Sequence, residues 1–354
     1  MKLVLSNGVE FCGLGRGPVG GVIGEVIFNT SMVGYQEIFS DPSYAGQIVV
    51  MTYPLMGQYG IADEDFESRG QAGPVGIVVR QLCDTPSNFR FTKTLGEWME
   101  ERGVPCLWEV DTRMITRVIR DNSPLRGAIV PESVSLQDAL QMIASSPRKE
   151  NIAKAVSCTK RWFSRTPHHK FDVVVVDCGL KRGIVRELNE RGCNVTVVPF
   201  DSSADEILSF NPGGVLLSSG PGTPDGFPAL KDTINALKGR LPLAGIGLGH
   251  QFIGMSYGAS IIRLGGCGHH GGCPVKECST GRIFTAELNH TMALDPASIN
   301  GTGLEITYLN ALDGCVEGVS CAADKVITCE FTPEGGPGPQ ESTFFDEFIK
   351  MMEE

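Results

Sequence analysis

The chain has 354 residues, of which 42% are hydrophobic and 20% are charged, and its formal net charge is −11. This length suits two domains of about 150 residues each better than one core. The composition is that of a globular protein, and no apolar run approaches the roughly 20 residues of a membrane span. Lys and Arg form no cluster that could neutralise phosphates. We therefore expect neither a membrane protein nor a nucleic-acid-binding protein.

The N-terminus and the cysteines both point to the cytoplasm. The opening segment MKLVLSNGVEF becomes polar at Ser6 and Asn7, too early for the apolar centre of a secretory signal. The 12 cysteines are scattered through a long chain rather than spaced as in a short disulfide-rich domain. We expect a cytoplasmic protein whose thiols are mostly reduced and buried.

The chain divides into two parts that differ in the pattern of their apolar residues, with a polar segment between them. Residues 1–145 contain short apolar runs interrupted by Gly and Pro, such as GGVIGEVIF and QIVVMTYPLMG, which predict strands of an α+β or β-rich domain. Residues 146–170 include SSPRKENIAK and SRTPHHK, which are polar, basic and proline-containing and predict a linker. The second domain is then expected at 171–354.

The second domain opens with alternating strand and helix patterns. FDVVVVDCG is a run of β-branched residues ending at Gly179, typical of a strand buried on both faces of a parallel sheet. GIVRELNERG predicts a helix with Ile184 and Leu188 on one face, stopped by Gly192. The alternation recurs in ADEILSFNPGGVLLSSG and ALKDTINALKGRLPLAGIGLG. This pattern predicts an α/β domain with an open, doubly wound, mostly parallel sheet, whose ligands bind in the loops after the strands.

Several motifs carry a family resemblance. The segments SSGPGTP, GIGLGHQ, GHHGG, LNH and TPEGGPGP occur in the order and approximate spacing of class I glutamine amidotransferases. The N-terminal half contains FNTSMVGYQEIFSDPSYAGQIVVMTYPLMGQYG and VDTRMITRVIR, which resemble the domain found only in the carbamoyl phosphate synthetase small subunit. Over nearly its whole length the chain therefore resembles that small subunit.

The resemblance implies a specific chemistry. In that family a cysteine at the centre of G-x-C-x-G, on a strand-to-helix turn, attacks the side-chain amide of glutamine. A histidine in a later H-P-E motif, paired with the glutamate, deprotonates the thiol. The ammonia passes to a large subunit that makes carbamoyl phosphate from ATP and bicarbonate, for pyrimidine or arginine biosynthesis. The resemblance thus implies the large subunit as partner, with ATP and magnesium bound there and no cofactor in this chain.

The two catalytic positions depart from the family pattern. Gly247 stands at the nucleophile position and Thr332 at the base position, whereas Glu334 is retained. Glycine cannot form a thioester, and a threonine hydroxyl does not titrate near neutral pH. Since nucleophile and base act as a unit, we predict that glutaminase activity is lost and that the chain is a pseudoenzyme. Glycine also adopts the strained turn without penalty.

The glutamine pocket is predicted to be partly eroded. Thr291 and Met292 stand where the family has a glycine and an aromatic residue that help to frame glutamine, and G-H-H-G-G-N-H-P is shortened to GHHGGCP. The positions that match glutamine-contacting residues of the family are Ser43, Gly220, Gly222, Leu248, Gln251 and Asn289. We expect weak glutamine binding at most.

One loop offers a metal alternative. Cys267, His269, His270, Cys273 and Cys278 have the chemistry of zinc ligands. The family contains GHHGG without needing a metal, so we expect a tight loop with buried thiols and no metal site. A replacement nucleophile among these thiols is disfavoured, because an ordinary thiol stays protonated near neutral pH.

Three functions remain open from the sequence. The favoured one is a glutaminase-dead small subunit that still docks on the large subunit, which then uses free ammonia or is modulated kinetically. The second is a stand-alone glutamine-sensing or scaffolding protein without a synthetase partner. The third is a glutaminase with a rebuilt mechanism.

Overall fold

The computed structural model describes residues 1–18, 20–68, 73–147, 152–224, 228–265, 269–335 and 343–353. It forms two compact units, Met1–Lys149 with Gly265–Gly271, and Glu150–Leu264 with Gly272–Glu354. Within the described ranges, no helix has both the length and the apolar character needed to cross a bilayer.

The first unit is built on a mixed β-sheet. Its strands are β1 (Lys2–Leu5), β2 (Glu10–Cys12), β3 (Leu14–Arg16), β4 (Val22–Asn29), β5 (Gln47–Met51), β6 (Leu55–Met56), β7 (Gly76–Val78), β8 (Gln81–Leu82), β9 (Cys106–Trp108) and β10 (Arg126–Val130). Eight of them form one sheet in the order β2-β1-β10-β4-β5-β7-β9-β3, and β6 pairs separately with β8. The neighbours β4, β5, β7 and β9 are parallel, whereas β10 is antiparallel to both β1 and β4.

Helices cover both faces of this sheet. They are α1 (Tyr35–Ser40), α2 (Leu95–Arg102), α3 (Thr112–Asn122) and α4 (Leu136–Ser145), with 3-10 turns at Pro42–Tyr44 and Asp63–Asp65. Alternation along β5 sends Val49 into a core with Trp98 of α2, and Val50 into a core with Ile115 of α3. The predicted α+β character of this part is confirmed.

The second unit contains the remaining elements. Its strands are β11 (Trp162–Ser164), β12 (Phe171–Asp177), β13 (Cys193–Pro199), β14 (Gly214–Leu217), β15 (Leu243–Ile246), β16 (Ile261–Arg263), β17 (His269–Glu277), β18 (Ile283–His290), β19 (Met292–Leu294), β20 (Glu305–Asn310), β21 (Val316–Cys321) and β22 (Val326–Cys329). Its helices are α5 (Ile152–Val156), α6 (Arg182–Glu190), α7 (Ala204–Ser209), α8 (Pro228–Leu237), α9 (Leu248–Ser256), α10 (Pro296–Ile299) and α11 (Phe344–Glu353).

Ten of these strands form one sheet in the order β11-β13-β12-β14-β15-β22-β21-β20-β17-β18, and β16 pairs with β19. The strands β13, β12, β14, β15 and β22 are parallel, as predicted for a doubly wound domain. Antiparallel pairing extends the sheet through β21 and β20 on one side and through β11 on the other. The last strand of the chain, β22, thus lies inside the sheet.

The two faces of this sheet have separate cores. Val174 and Val176 of β12 pack with α8 and α9, whereas Val173 and Val175 pack with α6 and α11. This burial on both faces explains the unbroken run of valines. The predicted helix at 182–190 is confirmed.

Part of segment 146–170, expected as a linker, is structured. It carries α5, and β11 pairs antiparallel with β13. Ala153 is buried, and Trp162 packs against the core that contains α6 and α11. A few apolar residues in a polar segment attach it to the second unit.

Candidate functional site

A sharp turn at Gly247 joins β15 to α9. Gly247 has φ 54° and ψ −114°, a region that residues with a side chain rarely adopt. Its N–H donates to the Cys329 carbonyl at 2.8 Å, and its own carbonyl accepts from the Gln251 N–H at 3.1 Å. The backbone therefore has the geometry of a nucleophile elbow, with the first amides of α9 at the turn.

Two glycines of this turn have different roles. A Cβ on Gly249 would overlap the Leu217 carbonyl oxygen, so glycine is needed there for α9 to lie against β14. A Cβ on Gly247 would lie 3.4 Å from the Ser219 Cβ and 3.8 Å from the Glu330 carbonyl oxygen, which are ordinary contacts. A side chain at position 247 would therefore fit in space and would be strained only by the backbone angle.

The loops that follow three neighbouring parallel strands meet at this edge. Since β14, β15 and β22 are adjacent and parallel, Gly220 and Gly222, Gly247, and Thr332 all follow strand ends on one side of the sheet. Thr332 is half-buried, and its N–H donates to the Glu287 carbonyl at 2.9 Å.

The retained Glu334 lies in a buried ion pair. Its Oε1 is 2.9 Å from Nζ of Lys181, and the two side chains are 2% and 5% exposed. Lys181 immediately precedes α6, in a loop held by Asp177, whose Oδ1 accepts from the N–H groups of Gly179 and Leu180 at 2.9 and 2.8 Å. The sequence analysis missed Lys181. Its position just after a buried strand was the available signal.

The other predicted glutamine contacts are distributed as follows. Asn289 lies in β18, Thr291 separates β18 from β19, and Met292 opens β19. Gln251 is tied to the start of β19, because its Nε2 donates to the Met292 carbonyl at 3.3 Å. The side chain of Leu248 packs in the core, so only its backbone is available to a ligand.

Ser43 belongs to the first unit. It lies in the 3-10 turn Pro42–Tyr44, where its N–H donates to Oδ1 of Asp41 at 2.7 Å.

Five buried polar side chains, two of them on α9, form what we name the buried polar cluster: His250, Gln251, His290, Glu317 and Glu330. Gln251 Nε2 donates to Glu330 Oε1 at 2.8 Å. His250 Nε2 lies 3.6 Å from Glu330 Oε2, and His290 Nδ1 lies 3.7 Å from Glu330 Oε1. His290 Nε2 is 3.7 Å from Glu317 Oε1. Two buried carboxyl groups and two imidazoles thus share one region.

Burial sets the protonation of this cluster. It raises the pKa of Glu330 well above the usual carboxyl range, and the nearby charge of Glu317 raises it further. Burial lowers the pKa of His250 to about 3, and His250 Nδ1 is 2.8 Å from Thr328 Oγ1. Burial therefore favours the protonated, uncharged form of the Glu330 carboxyl and the neutral form of the His250 imidazole. Sequence reasoning missed both glutamates, because each stands alone in or beside a strand-like segment.

Comparison with known proteins decides the family. Residues 3–129 match the family described as "Carbamoyl-phosphate synthase small chain, CPSase domain", and residues 174–351 match "Glutamine amidotransferase class-I". The carbamoyl phosphate synthase small chain of Listeria monocytogenes serotype 4b (strain F2365) is 42% identical over 353 residues, which cover 99% of this chain and 96% of that protein. The chain belongs to the carbamoyl phosphate synthase small chain family.

Other members of this small chain family match equally broadly. The pyrimidine-specific small chain of Bacillus subtilis (strain 168) is 40% identical over 354 residues, covering 99% of this chain and 96% of that protein. Among solved structures, a glutamine amidotransferase from Thermotoga maritima has 17% identity and a TM-score of 0.38, over 52% of this chain and 82% of that one. The predicted family resemblance is confirmed.

Two thiols of the cysteine-rich loop, Cys273 and Cys278, lie in the described part of the chain, and neither is activated. Burial raises the pKa of Cys273 to about 11 and also raises the pKa of Cys278, so both thiols stay protonated near neutral pH. Among the described residues, no group of three or more His, Cys, Asp or Glu side chains is placed to hold a metal ion. Cys267 and the side chains of His269 and His270 lie outside the described part of the chain.

Proposed function

We propose that this chain is a carbamoyl phosphate synthetase small subunit that has lost glutamine hydrolysis and still docks on an ATP-using large subunit. The observation that carries the proposal is Gly247. It occupies the strand-to-helix turn where the family's nucleophile is expected, and it has no side-chain atom that could attack an amide.

The neighbouring groups support the same conclusion. Thr332 offers no imidazole, and the Glu334 carboxylate that would orient one is ion-paired with Lys181. Ser219 is the side chain closest to a Cβ built on Gly247. Its hydroxyl has a pKa far above neutral and, among the described residues, no hydrogen-bond partner that could deprotonate it. Loss of nucleophile and base together would remove several powers of ten in rate.

Retention of the other half of the chain supports docking. The family match includes the domain described for the synthase small chain, and identity to the relatives extends over 99% of this chain. A subunit that only bound glutamine would need no such domain. Without glutaminase activity, the complex would use free ammonia, and the small chain would shape its kinetics. The product would enter pyrimidine or arginine biosynthesis.

Glutamine hydrolysis by the purified chain, alone and with its cognate large subunit, tests the catalytic part of the proposal. We expect no ammonia from glutamine, and carbamoyl phosphate synthesis from added ammonium, ATP and bicarbonate by the complex. Steady ammonia release by the natural chain would contradict the proposal. In that case Ser219→Ala would reveal a rebuilt mechanism, because it removes the hydroxyl beside Gly247.

Purification from the native cell tests docking. We expect the large subunit to accompany the chain at equal stoichiometry. Isolation of the chain without a large subunit would contradict docking. Saturable binding of glutamine in calorimetry would then favour the stand-alone glutamine sensor.

A further inference from the structure

The amide of Gln251 has a fixed orientation. Its Nε2 lies 2.8 Å from Glu330 Oε1 and 3.3 Å from the Met292 carbonyl, and both of these atoms accept hydrogen bonds. Turning the amide over would place its oxygen against two acceptors, so Nε2 must face them. The other end, Oε1, is buried and has no hydrogen-bond partner among the described residues.

The tautomer of His250 is fixed in a similar way. The Thr328 hydroxyl donates to the Val319 carbonyl at 2.9 Å, so its single hydrogen is already used. At 2.8 Å, Thr328 Oγ1 must therefore accept from Nδ1–H of His250. This leaves Nε2 of the neutral ring with a lone pair that can accept a hydrogen bond. Among the described residues, this atom has no hydrogen-bond partner.

Glu330 Oε2 is the third such atom. It is buried without a hydrogen-bond partner in the described part of the chain, and its 3.6 Å separation from His250 Nε2 exceeds a hydrogen bond. The residues His250, Gln251 and Glu330 are only 0%, 4% and 6% exposed. Three neighbouring side chains therefore each bury a polar atom that has no partner within hydrogen-bond distance among the described residues.

A ligand that satisfies all three atoms is small and rich in donors, and a positive charge on it compensates the carboxylate that forms when the Glu330 proton leaves. Buried acceptors are normally satisfied, and a buried carboxylate needs a compensating charge. A divalent metal does not meet these needs, because no described group of His, Cys, Asp and Glu is placed to hold one. Potassium and sodium prefer oxygen ligands, whereas one of these acceptors is an imidazole nitrogen.

We propose that the acceptors of His250, Gln251 and Glu330 bind an ammonium ion. Its N–H groups donate to Nε2, Oε1 and Oε2, and its charge pairs with the Glu330 carboxylate. This site goes beyond the proposed function, since it requires neither the large subunit nor loss of glutaminase activity. It would let a chain without a nucleophile respond to free ammonium.

Binding of the ion is coupled to a proton. Burial and the charge of Glu317 favour the protonated form of Glu330 when no cation is present, so the arriving ammonium replaces that proton and releases it to solvent. The charge of the site is unchanged by the exchange. The titratable groups that face Glu330 are His250 on α9, His290 on β18, Glu317 on β21 and the adjoining Cys329 on β22. We therefore expect ammonium binding to be accompanied by proton release to solvent.

Thermal unfolding of the full chain in ammonium chloride, against potassium chloride at equal ionic strength, tests the proposal. Ammonium at several-fold its Kd should raise the Tm by about 2–4 °C, and potassium should not. Calorimetric titrations with ammonium chloride in two buffers of different ionisation enthalpy should report the released proton. Equal effects of the two salts would overturn the proposal.

The variant Glu330→Gln removes the charge and supplies an amide that can donate to the same acceptors. It should fold and lose the ammonium-dependent rise in Tm. The control Glu305→Gln, the same change on an exposed strand residue, should keep it. An ammonium response that survives in Glu330→Gln would refute the site. A Glu330-dependent response to glutamine with none to ammonium would assign the acceptors to an amino-acid ammonium group and would refute binding of the free ion.

Discussion

The turn at Gly247 and the buried polar cluster adjoin along α9 and differ in what they hold. At the turn the backbone has the geometry of a catalytic elbow, and neither Gly247 nor Thr332 offers a thiol or an imidazole. In the cluster, two imidazoles and two carboxyl groups are packed together and buried. The backbone of this site therefore depends on glycine packing and strand order, whereas its chemistry depends on individual side chains.

The largest effect should come from restoring the reactive side chains. We expect the double variant Gly247→Cys, Thr332→His to release ammonia from glutamine about 1,000-fold faster than either single variant, since nucleophile and base act as a unit. A Cβ at position 247 makes only ordinary contacts, so the cysteine fits. The matched control is Gly247→Ala with Thr332→His, which has the same backbone strain and no thiol. Equal activity of the single and double variants would contradict this coupling.

Removal of one partner of the ion pair at the same edge should cost stability. Lys181→Met leaves the Glu334 carboxylate buried without this cation and should lower the free energy of unfolding by about 3–5 kcal/mol in urea titrations. The double change Lys181→Met, Glu334→Leu should recover most of that loss. Arg16→Met, in a pair whose side chains are 69% and 65% exposed, should cost about 1 kcal/mol or less. If Lys181→Met and Arg16→Met lowered the free energy of unfolding by similar amounts, the prediction would be contradicted.

Two alanine substitutions separate the cost of a steric overlap from the cost of a strained backbone angle. Gly249→Ala forces a Cβ onto the Leu217 carbonyl oxygen and should destabilise the chain by about 3 kcal/mol. Gly247→Ala meets no such overlap and should cost about 1 kcal/mol, from its positive φ alone. Thermal unfolding monitored by circular dichroism distinguishes them. A larger loss at Gly247 than at Gly249 would mean that backbone strain dominates.

The buried polar cluster should affect how the free energy of unfolding depends on pH. The pKa of Glu330 is higher in the folded chain than in the unfolded one, so its contribution is full at low pH and is lost as the pH rises toward the folded pKa. The pKa of His250 is lowered to about 3, so its contribution is full above its unfolded pKa and is lost on acidification.

Glu330 makes the free energy of unfolding fall with pH, and His250 makes it rise. The two contributions cancel between the unfolded pKa values of Glu and His, about 4.3 and 6.5. Above that window only Glu330 acts, and stability in ammonium-free buffer should fall by up to about 1.4 kcal/mol per pH unit. Urea titrations at several pH values measure the slope. Glu330→Gln should flatten it, and an unchanged slope would exclude Glu330 as its source.

Local patterns predicted the first half of the second unit better than the second half. The buried strand β12 was predicted from its run of valines, and the end of α6 from the glycine that follows it. Both predictions need only a few neighbouring residues, because a strand buried on both faces and a helix end have local sequence patterns. The position of β22 in the strand order cannot be predicted from its own residues, since a short apolar strand can pair at many positions in a sheet. Its partner β15 is fixed only by packing across the whole domain.

The site shows the same division. Gly247 and Thr332 were assigned to the site from their positions in motifs, and their catalytic correspondence stays a prediction. Lys181, Thr328 and Glu330 were not assigned to it, because a single polar residue in or beside a strand is normally read as surface. Only the folded arrangement shows that they are buried and paired.

The interior position of β22 has a consequence for synthesis of the chain. On the ribosome, β15 and β21 are complete before residues 326–329 emerge, and the strand that must lie between them comes last. Until then two strand edges remain open to pairing with other chains. A product truncated before this strand would have the same defect permanently and should aggregate. For this domain, nearly the whole message must be translated before the sheet can close.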